Sequence, residues 1–228
     1  IASQVSANTK AGFSIVTYTG NNTNATTVGH GLEKTPALLI TKSRDSSTSP
    51  AWHTSHKSLP INYDVALDST DAAWNPAGNG WHELTSASVF TLKNGTTDGT
   101  NVNKSGDDYV AYCFAEVEGF SKFGSYTGNG NSDGAFVYTG FRPAFVMFKR
   151  TDTTGNWAMI DADRNAYNVV NERLFADLSD AASTLFDVCD FTSNGFKFRT
   201  NAGSTNASGG TYIYMAFAEM PFKYANAR

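Results

Sequence analysis

The chain states its sequence twice. Gly12-Phe13-Ser14 returns as Gly119-Phe120-Ser121, and Tyr18-Thr19-Gly20-Asn21 returns as Tyr126-Thr127-Gly128-Asn129. Lys42 to Asp45 answers to Lys149 to Asp152, Trp52 to Trp157, and Tyr63 and Val65 to Tyr167 and Val169. Asp71-Ala72-Ala73 answers to Asp180-Ala181-Ala182, Asn103 and Tyr109 to Asn206 and Tyr212, and Phe114-Ala115-Glu116 to Phe217-Ala218-Glu219. The order never changes, and the spacing drifts only as small loop insertions would make it drift. Whatever fold one half adopts, the other must adopt too. The repeat places the boundary between residues 1–117 and 118–228. No linker separates the copies, so close packing of the two is expected.

Each copy reads as strands. Residues 13–18 form one, ended by Thr-Gly-Asn turn chemistry. Pro36 opens another over 37–42, matched by 144–149 in the second copy, and a proline is tolerated at a strand's first residue. Further strands are expected at 51–53, 65–67, 89–92 and 109–116. In the last, Tyr109, Ala111, Cys113 and Ala115 share one face and Val110, Tyr112, Phe114 and Glu116 the other. Both faces are mostly apolar, the pattern of a central strand. Helix is confined to short pieces, chiefly 171–183, where Leu174, Leu178 and Ala182 fall at helical spacing. The fold class expected is all-β: two tandem duplicated β-sandwich or jelly-roll-like units packed closely, with little helix.

Composition narrows the functional classes. Charged residues are 17% of the chain, so solubility rests on Asn, Ser, Thr and Gly, while aromatics at 13% favour a pleated surface. The net charge of −4 and the lack of any Lys/Arg cluster leave nothing to replace the counterions on nucleic acid. No apolar run is long enough for membrane insertion. The first residue is Ile1 rather than Met, so the chain is expected to be the C-terminal part of something longer, or a processed product. Two cysteines, Cys113 and Cys189, are too few for a disulfide scaffold, and Cys113 reads as a small buried hydrophobe.

Catalytic constellations are scarce. No GxSxG is present, and the four histidines, His30, His53, His56 and His82, lie in the first copy without the spacing of a zinc site. Glu116 and Glu118 are neighbours on a strand face, but Pro221 stands where Glu118 would be repeated. Glu116 and Glu219, both at strand ends, suit a structural role. Asp161 and Asp163 read as a turn with Arg164. The stretch from Gly128 to Gly134 imitates a calcium loop but lacks its closing glutamate, and reads as a hairpin loop. No catalytic residue, metal or cofactor is therefore expected, and the chain is not read as an enzyme.

The remaining feature is "AAWNPAGNGWHE", a Pro/Gly/Asn-rich stretch with no matching pair of tryptophans in the second copy. Trp74 and Trp81, flanked by Asn75 and His82, could stack on sugar rings or anchor a partner. Equally, both rings could plug the end of a sandwich. With His53 and His56 these residues form the candidate binding set.

The phrases "GFSIVTYTGN", "VGHGLEKTPALLITKSRD", "SGDDYVAYCFAEVEGFSKFGSYTGNG", "FVYTGFRPAFVMFKRTD" and "YIYMAFAEMPFKYANAR" resemble the C-terminal module of tail-associated structural proteins of phages of marine bacteria and cyanobacteria. The resemblance runs from about residue 10 to the end. It implies a virion component outside the cell, in a tail fibre, spike or other surface appendage. The partners implied are a host-surface glycan or receptor and other virion proteins, with a homo-oligomer, a trimer in the first place, adding avidity. Two alternatives are a purely structural virion protein and a polysaccharide-degrading spike.

Overall fold

The Tyr-Thr-Gly-Asn phrase ends a strand in both copies, and the same latch explains each. A computed structural model describes residues 1–45, 51–75, 80–93, 100–184 and 188–220. Tyr18 stacks on Tyr109 across the sheet at 5.1 Å, and Tyr126 on Tyr212 at 4.7 Å. The Tyr18 hydroxyl donates to the Val102 carbonyl at 2.7 Å, and that of Tyr126 to Thr205 at 2.8 Å. The backbone N–H of Asn21 donates to Asn103 Oδ1, and that of Asn129 to Asn206 Oδ1, both at 2.9 Å. The intervening glycine is obligatory: a Cβ on Gly20 or Gly128 would lie 2.2 Å from the carbonyl oxygen of Lys104 or Ala207.

The fold is nearly all strand, as expected. The chain divides into two units, one of Ile1–Asp68 and Ala73–Glu116, the other of Val117–Arg228 with Ser69–Ala72. Unit 1 holds β1 (Ser3–Asn8), β2 (Phe13–Thr19), β3 (Thr26–Gly29), β4 (Leu38–Ser43), β5 (His53–His56) and β6 (Val65–Ala66). It continues with β7 (His82–Glu83), β8 (Val89–Leu92), the single-turn helix α1 (Thr100–Asn103) and β9 (Asp108–Phe114). Its sheets are antiparallel, with strand orders β1-β2-β9-β4-β5-β6 and β3-β8-β7.

Unit 2 holds β10 (Ser121–Thr127), β11 (Phe136–Tyr138), β12 (Pro143–Arg150), β13 (Trp157–Asp161) and β14 (Arg173–Phe175). It ends with β15 (Cys189–Thr192), β16 (Gly195–Phe198), the single-turn helix α2 (Gly203–Asn206) and β17 (Thr211–Ala218). Its sheets run β10-β17-β12-β13-β14 and β11-β16-β15. Apart from β1, the orders of the two units superimpose strand for strand. In each, the last strand lies between the first and third of the repeat, as a buried central strand should.

Each unit is a sandwich with its own core. In unit 1, Val16, Leu39, Tyr109, Ala111 and Cys113 of the larger sheet meet Val28, Phe90 and Leu92 of the smaller. In unit 2, Val146, Phe148, Ile160 and Ala216 meet Val137, Phe196 and Phe198. Period-two alternation presents these residues to one side, and burial of their apolar area holds the sheets together at about 25 cal/mol per Å². Cys113 and Cys189 are free thiols, one in each core. Among the described residues, no helix is long and apolar enough to cross a membrane.

Two expectations are corrected. Residues 171–183 are not helical: Leu174 lies in β14 opposite Met159, and the side chain of Asn165 accepts the N–H groups of Asn171 and Glu172. Sheet pairing and a local side-chain acceptor outweigh three apolar residues at helical spacing. The stretch from Gly128 to Gly134 is not a hairpin loop, since it carries the chain from β10 in one sheet to β11 in the other. Its Asn129 and Asn131 side chains bind the loop's own backbone, and Asn206 Nδ2 reaches Asn129 Oδ1 at 2.8 Å. Asp161 does form the expected turn, accepting from Arg164 N and Nε. Glu116 pairs with Lys57, and Glu219 with Arg142.

Candidate functional site

Between the sheets, the two units place different chemistry on one scaffold. Leu39 lies opposite Ser55 as Val146 lies opposite Ile160, and His82 opposite Leu92 as Cys189 opposite Phe198. The ladder therefore equates His53, Ser55, Trp81 and His82 of unit 1 with Ala158, Ile160, Val188 and Cys189 of unit 2. All eight are buried. In unit 2 this corner is apolar except for the buried Arg173 opposite Ile160, and in unit 1 it is polar and aromatic.

Asp64, one residue before β6, organises that corner. Its Oδ2 accepts the Trp81 backbone N–H at 2.7 Å, and its Oδ1 accepts the Ser55 hydroxyl. His82 Nδ1 lies 2.8 Å from the same Ser55 Oγ. A serine has one proton to give. With that proton on Asp64, the imidazole must carry its own on Nδ1 and donate to Oγ. Donation then runs His82 to Ser55 to Asp64. Burial pushes the Asp64 carboxyl up to about 6, against the opposing pull of Ser55, the Trp81 N–H and Lys93. Burial also pushes His82 down to about 3, with His53 adding to it, and His53 down to about 3, with Lys42 adding to it. Both rings are neutral at pH 7.

The candidate residues do not lie on an exposed loop together. Trp81 is 3% exposed and belongs to the unit 1 core. Its ring meets His53 edge-on at 3.8 Å and Trp74 edge-on at 5.0 Å. Trp74 is half-buried and exchanges both backbone hydrogen bonds with Asp64. His56 is buried, and its Nδ1 accepts the Ser58 N–H at 3.1 Å. Asn75 is exposed. Of the two readings left open, Trp81 takes the second and plugs the sandwich, while the half-buried Trp74 packs on its edge. The apolar area of an indole is large enough to draw it inward wherever the sheets leave room. Among the described residues, Trp81 Nε1 and His82 Nε2 are buried without a hydrogen-bond partner.

Sequence reading missed Ser55 and Asp64. The available signal was the replacement of Ser55 by Ile160 in the second copy rather than any motif. The ladder places Arg173, not Asn168, at the position of Asp64, so the repeat spacing read from Tyr63 and Val65 does not hold at this strand. The trio resembles a nucleophilic constellation in composition but not in wiring. A nucleophilic serine gives its proton to the imidazole, and the carboxylate holds the imidazole's far nitrogen. Here the carboxylate holds the serine itself. The wiring is that of a clamp joining β5, the approach to β6 and β7. No group of three His, Cys, Asp or Glu side chains among the described residues is placed to hold a metal.

On the outer side of the clamp is a cavity of about 230 Å³, lined by Ser55, His82, Asn62, Tyr63, Glu83 and Lys93 among others. Lys93 Nζ bridges Glu83 at 3.1 Å and Asn62 Oδ1 at 3.3 Å. Ile61, 81% exposed, and Tyr63, 39% exposed, form an apolar lip. The cavity offers donors, acceptors and an aromatic edge to a small polar ligand.

Neither the curated proteins nor the solved structures gave a match to this chain. The family model described as a domain of unknown function, DUF7483, matches residues 1–221, and the chain belongs to that family.

Proposed function

We propose that the chain is an attachment module of a phage tail appendage, and that the cavity beside Ser55 and His82 receives a host-surface glycan. The observation that supports this most is the divergence of the copies. One corner of a doubled scaffold is filled with Ala158, Ile160, Val188 and Cys189 around a buried Arg173, while its counterpart carries a hydrogen-bonded clamp of Asp64, Ser55 and His82 with a cavity against it. Keeping a buried carboxylate and two buried imidazoles costs stability, so their retention in one copy favours a role beyond packing. A mixed polar cavity with an aromatic lip suits a sugar, which presents hydroxyls at its edge and C–H groups on its face. The test is glycan-array binding and host-cell adsorption by the wild type, Tyr63→Ala and Lys93→Ala. Loss of binding in both variants is expected. Unchanged adsorption in both would remove the cavity from the reading, and a wild type that binds no glycan would remove the sugar.

A purely structural virion role is the second reading. It is favoured by Trp81 and His53, which sit in the core rather than on a surface able to grip a ligand. Under it, the same variants would leave adsorption intact and alter particle assembly.

A further inference from the structure

Each unit carries a lysine near the end of its third repeat strand, with a tryptophan where the next strand begins: Trp157 is the first residue of β13, and Trp52 immediately precedes β5. In unit 2 this socket is filled. Lys149 is fully buried, and its Nζ donates to the carbonyls of Thr70 at 3.1 Å, Asp71 at 2.7 Å, Arg150 at 3.1 Å and Gly155 at 2.7 Å. The Gly155 N–H also donates to the Thr70 carbonyl at 2.8 Å. Trp157, beside it, is 2% exposed. Two of the four acceptors thus come from Ser69–Ala72, a segment that counts with unit 2 although both its chain neighbours count with unit 1. It acts as a plug.

In unit 1 no described residue fills the equivalent socket. Lys42 pairs with Val110 as Lys149 pairs with Ile213, so the two lysines occupy one position of the ladder. Lys42 is half-buried, and its Nζ lies 5.7 Å from the centre of the Trp52 ring and donates to no described residue. Trp52 is also half-buried, where Trp157 is closed off. The plug has a copy as well. Thr70-Asp71-Ala72-Ala73 corresponds to Ser179-Asp180-Ala181-Ala182, and residues 178–182 are all exposed, Leu178 to 41%. Among the described residues there is therefore one filled plug-and-socket pair, together with an unfilled socket and an exposed plug of the same design.

We propose that a second copy of this chain supplies the missing half: its residues 178–182 seat on Lys42 and Trp52, giving the Lys42 ammonium the carbonyls of Ser179 and Asp180. The fit is chemical as well as geometric. An ammonium has three protons to place and gains most from acceptors held in a desolvated cage. Burial pushes the Lys149 ammonium down to about 8 against the support of Asp177 and then Asp71, and Asp180 is the repeat counterpart of Asp71. Plug and socket are different surfaces, so the contact is head-to-tail. It closes into a ring if the rotation between copies allows, and otherwise extends as a filament.

The test uses the whole chain in sedimentation equilibrium over a concentration series reaching about 100 μM. Lys42→Glu destroys the socket and keeps the plug, and Asp180→Lys does the reverse. Lys42 is half-buried and Asp180 exposed, and unchanged circular dichroism verifies that the variants fold. The wild type is expected to gain mass with concentration, and each variant to remain monomeric. An equimolar mixture of the two is expected to form a one-to-one dimer and go no further, because one live plug meets one live socket. A monomeric wild type, a variant that associates like the wild type, or a mixture that stays monomeric would each overturn the proposal.

Discussion

Unit 1 and unit 2 share strand order, latch and sandwich, yet they are stabilised differently. Unit 2 fills its core with Phe148, Phe191, Phe196 and Phe198 and buries a lysine under four carbonyls. Unit 1 keeps two neutral imidazoles, a raised carboxyl and an indole between its sheets. One fold accepts both solutions because the ladder fixes where side chains point, not what they are. A doubled scaffold therefore lets one copy carry a carboxylate, a serine and two imidazoles where the other keeps apolar side chains around a single buried arginine.

The comparison can be broken most directly at Trp81. Trp81→Ala should cost unit 1 about 3–5 kcal/mol by removing an indole that touches His53 and Trp74. Val188→Ala, at the equivalent position, should cost unit 2 less. Hydrogen exchange resolved strand by strand reads both, and equal losses would mean that the corners are packed alike. Next is the lysine pair. Lys149→Met strands four carbonyls and should cost about 3 kcal/mol, whereas Lys42→Met in the isolated chain should stay within about 0.5 kcal/mol. Urea midpoints of the two variants, measured below the concentration at which copies associate, decide this.

Acid should separate the units more gently. His53 and His82 have lower pKa values folded than unfolded, so the unfolded chain binds more protons and stability falls as pH drops from about 6.5 toward 3. At pH 5 the loss is about 2 kcal/mol per histidine. Asp64 acts in the opposite sense. Its folded pKa is raised, so its contribution to stability grows as pH falls from about 6 toward 4 and offsets part of the loss. Unit 2 contains no histidine, and its Asp152, held near 2 chiefly by Arg150, matters only below the ordinary carboxylate range. Urea titrations at pH 7 and pH 5 should show unit 1 weakening first. Asp64→Asn, which removes the offsetting group, should steepen that loss.

The sequence made the doubling legible because it repeats residues that backbone geometry demands. Gly20 and Gly128 cannot bear a Cβ, and Asn103 and Asn206 must satisfy a loop N–H. The strands were legible from alternation. The polar corner was not, because Ser55 and Asp64 are ordinary residue types whose meaning appears only when β5 and β7 are brought together across the sandwich. Trp74 and Trp81 left two readings open for a related reason. A Pro/Gly/Asn-rich neighbourhood signals a loop, but it does not say which way an indole at the loop's edge turns. The segment around Leu174 misled because three apolar residues at helical spacing carry less weight than pairing with Met159.

Each sandwich hides one sulfhydryl, Cys113 in the first and Cys189 in the second, both fully buried and both raised by burial well away from reactivity. While the protein is folded, neither should react with an alkylating reagent, and each becomes labelled only when its own unit opens. A peptide map of the modified chain after brief exposure would thus record, sulfur by sulfur, which half of the molecule lets go first.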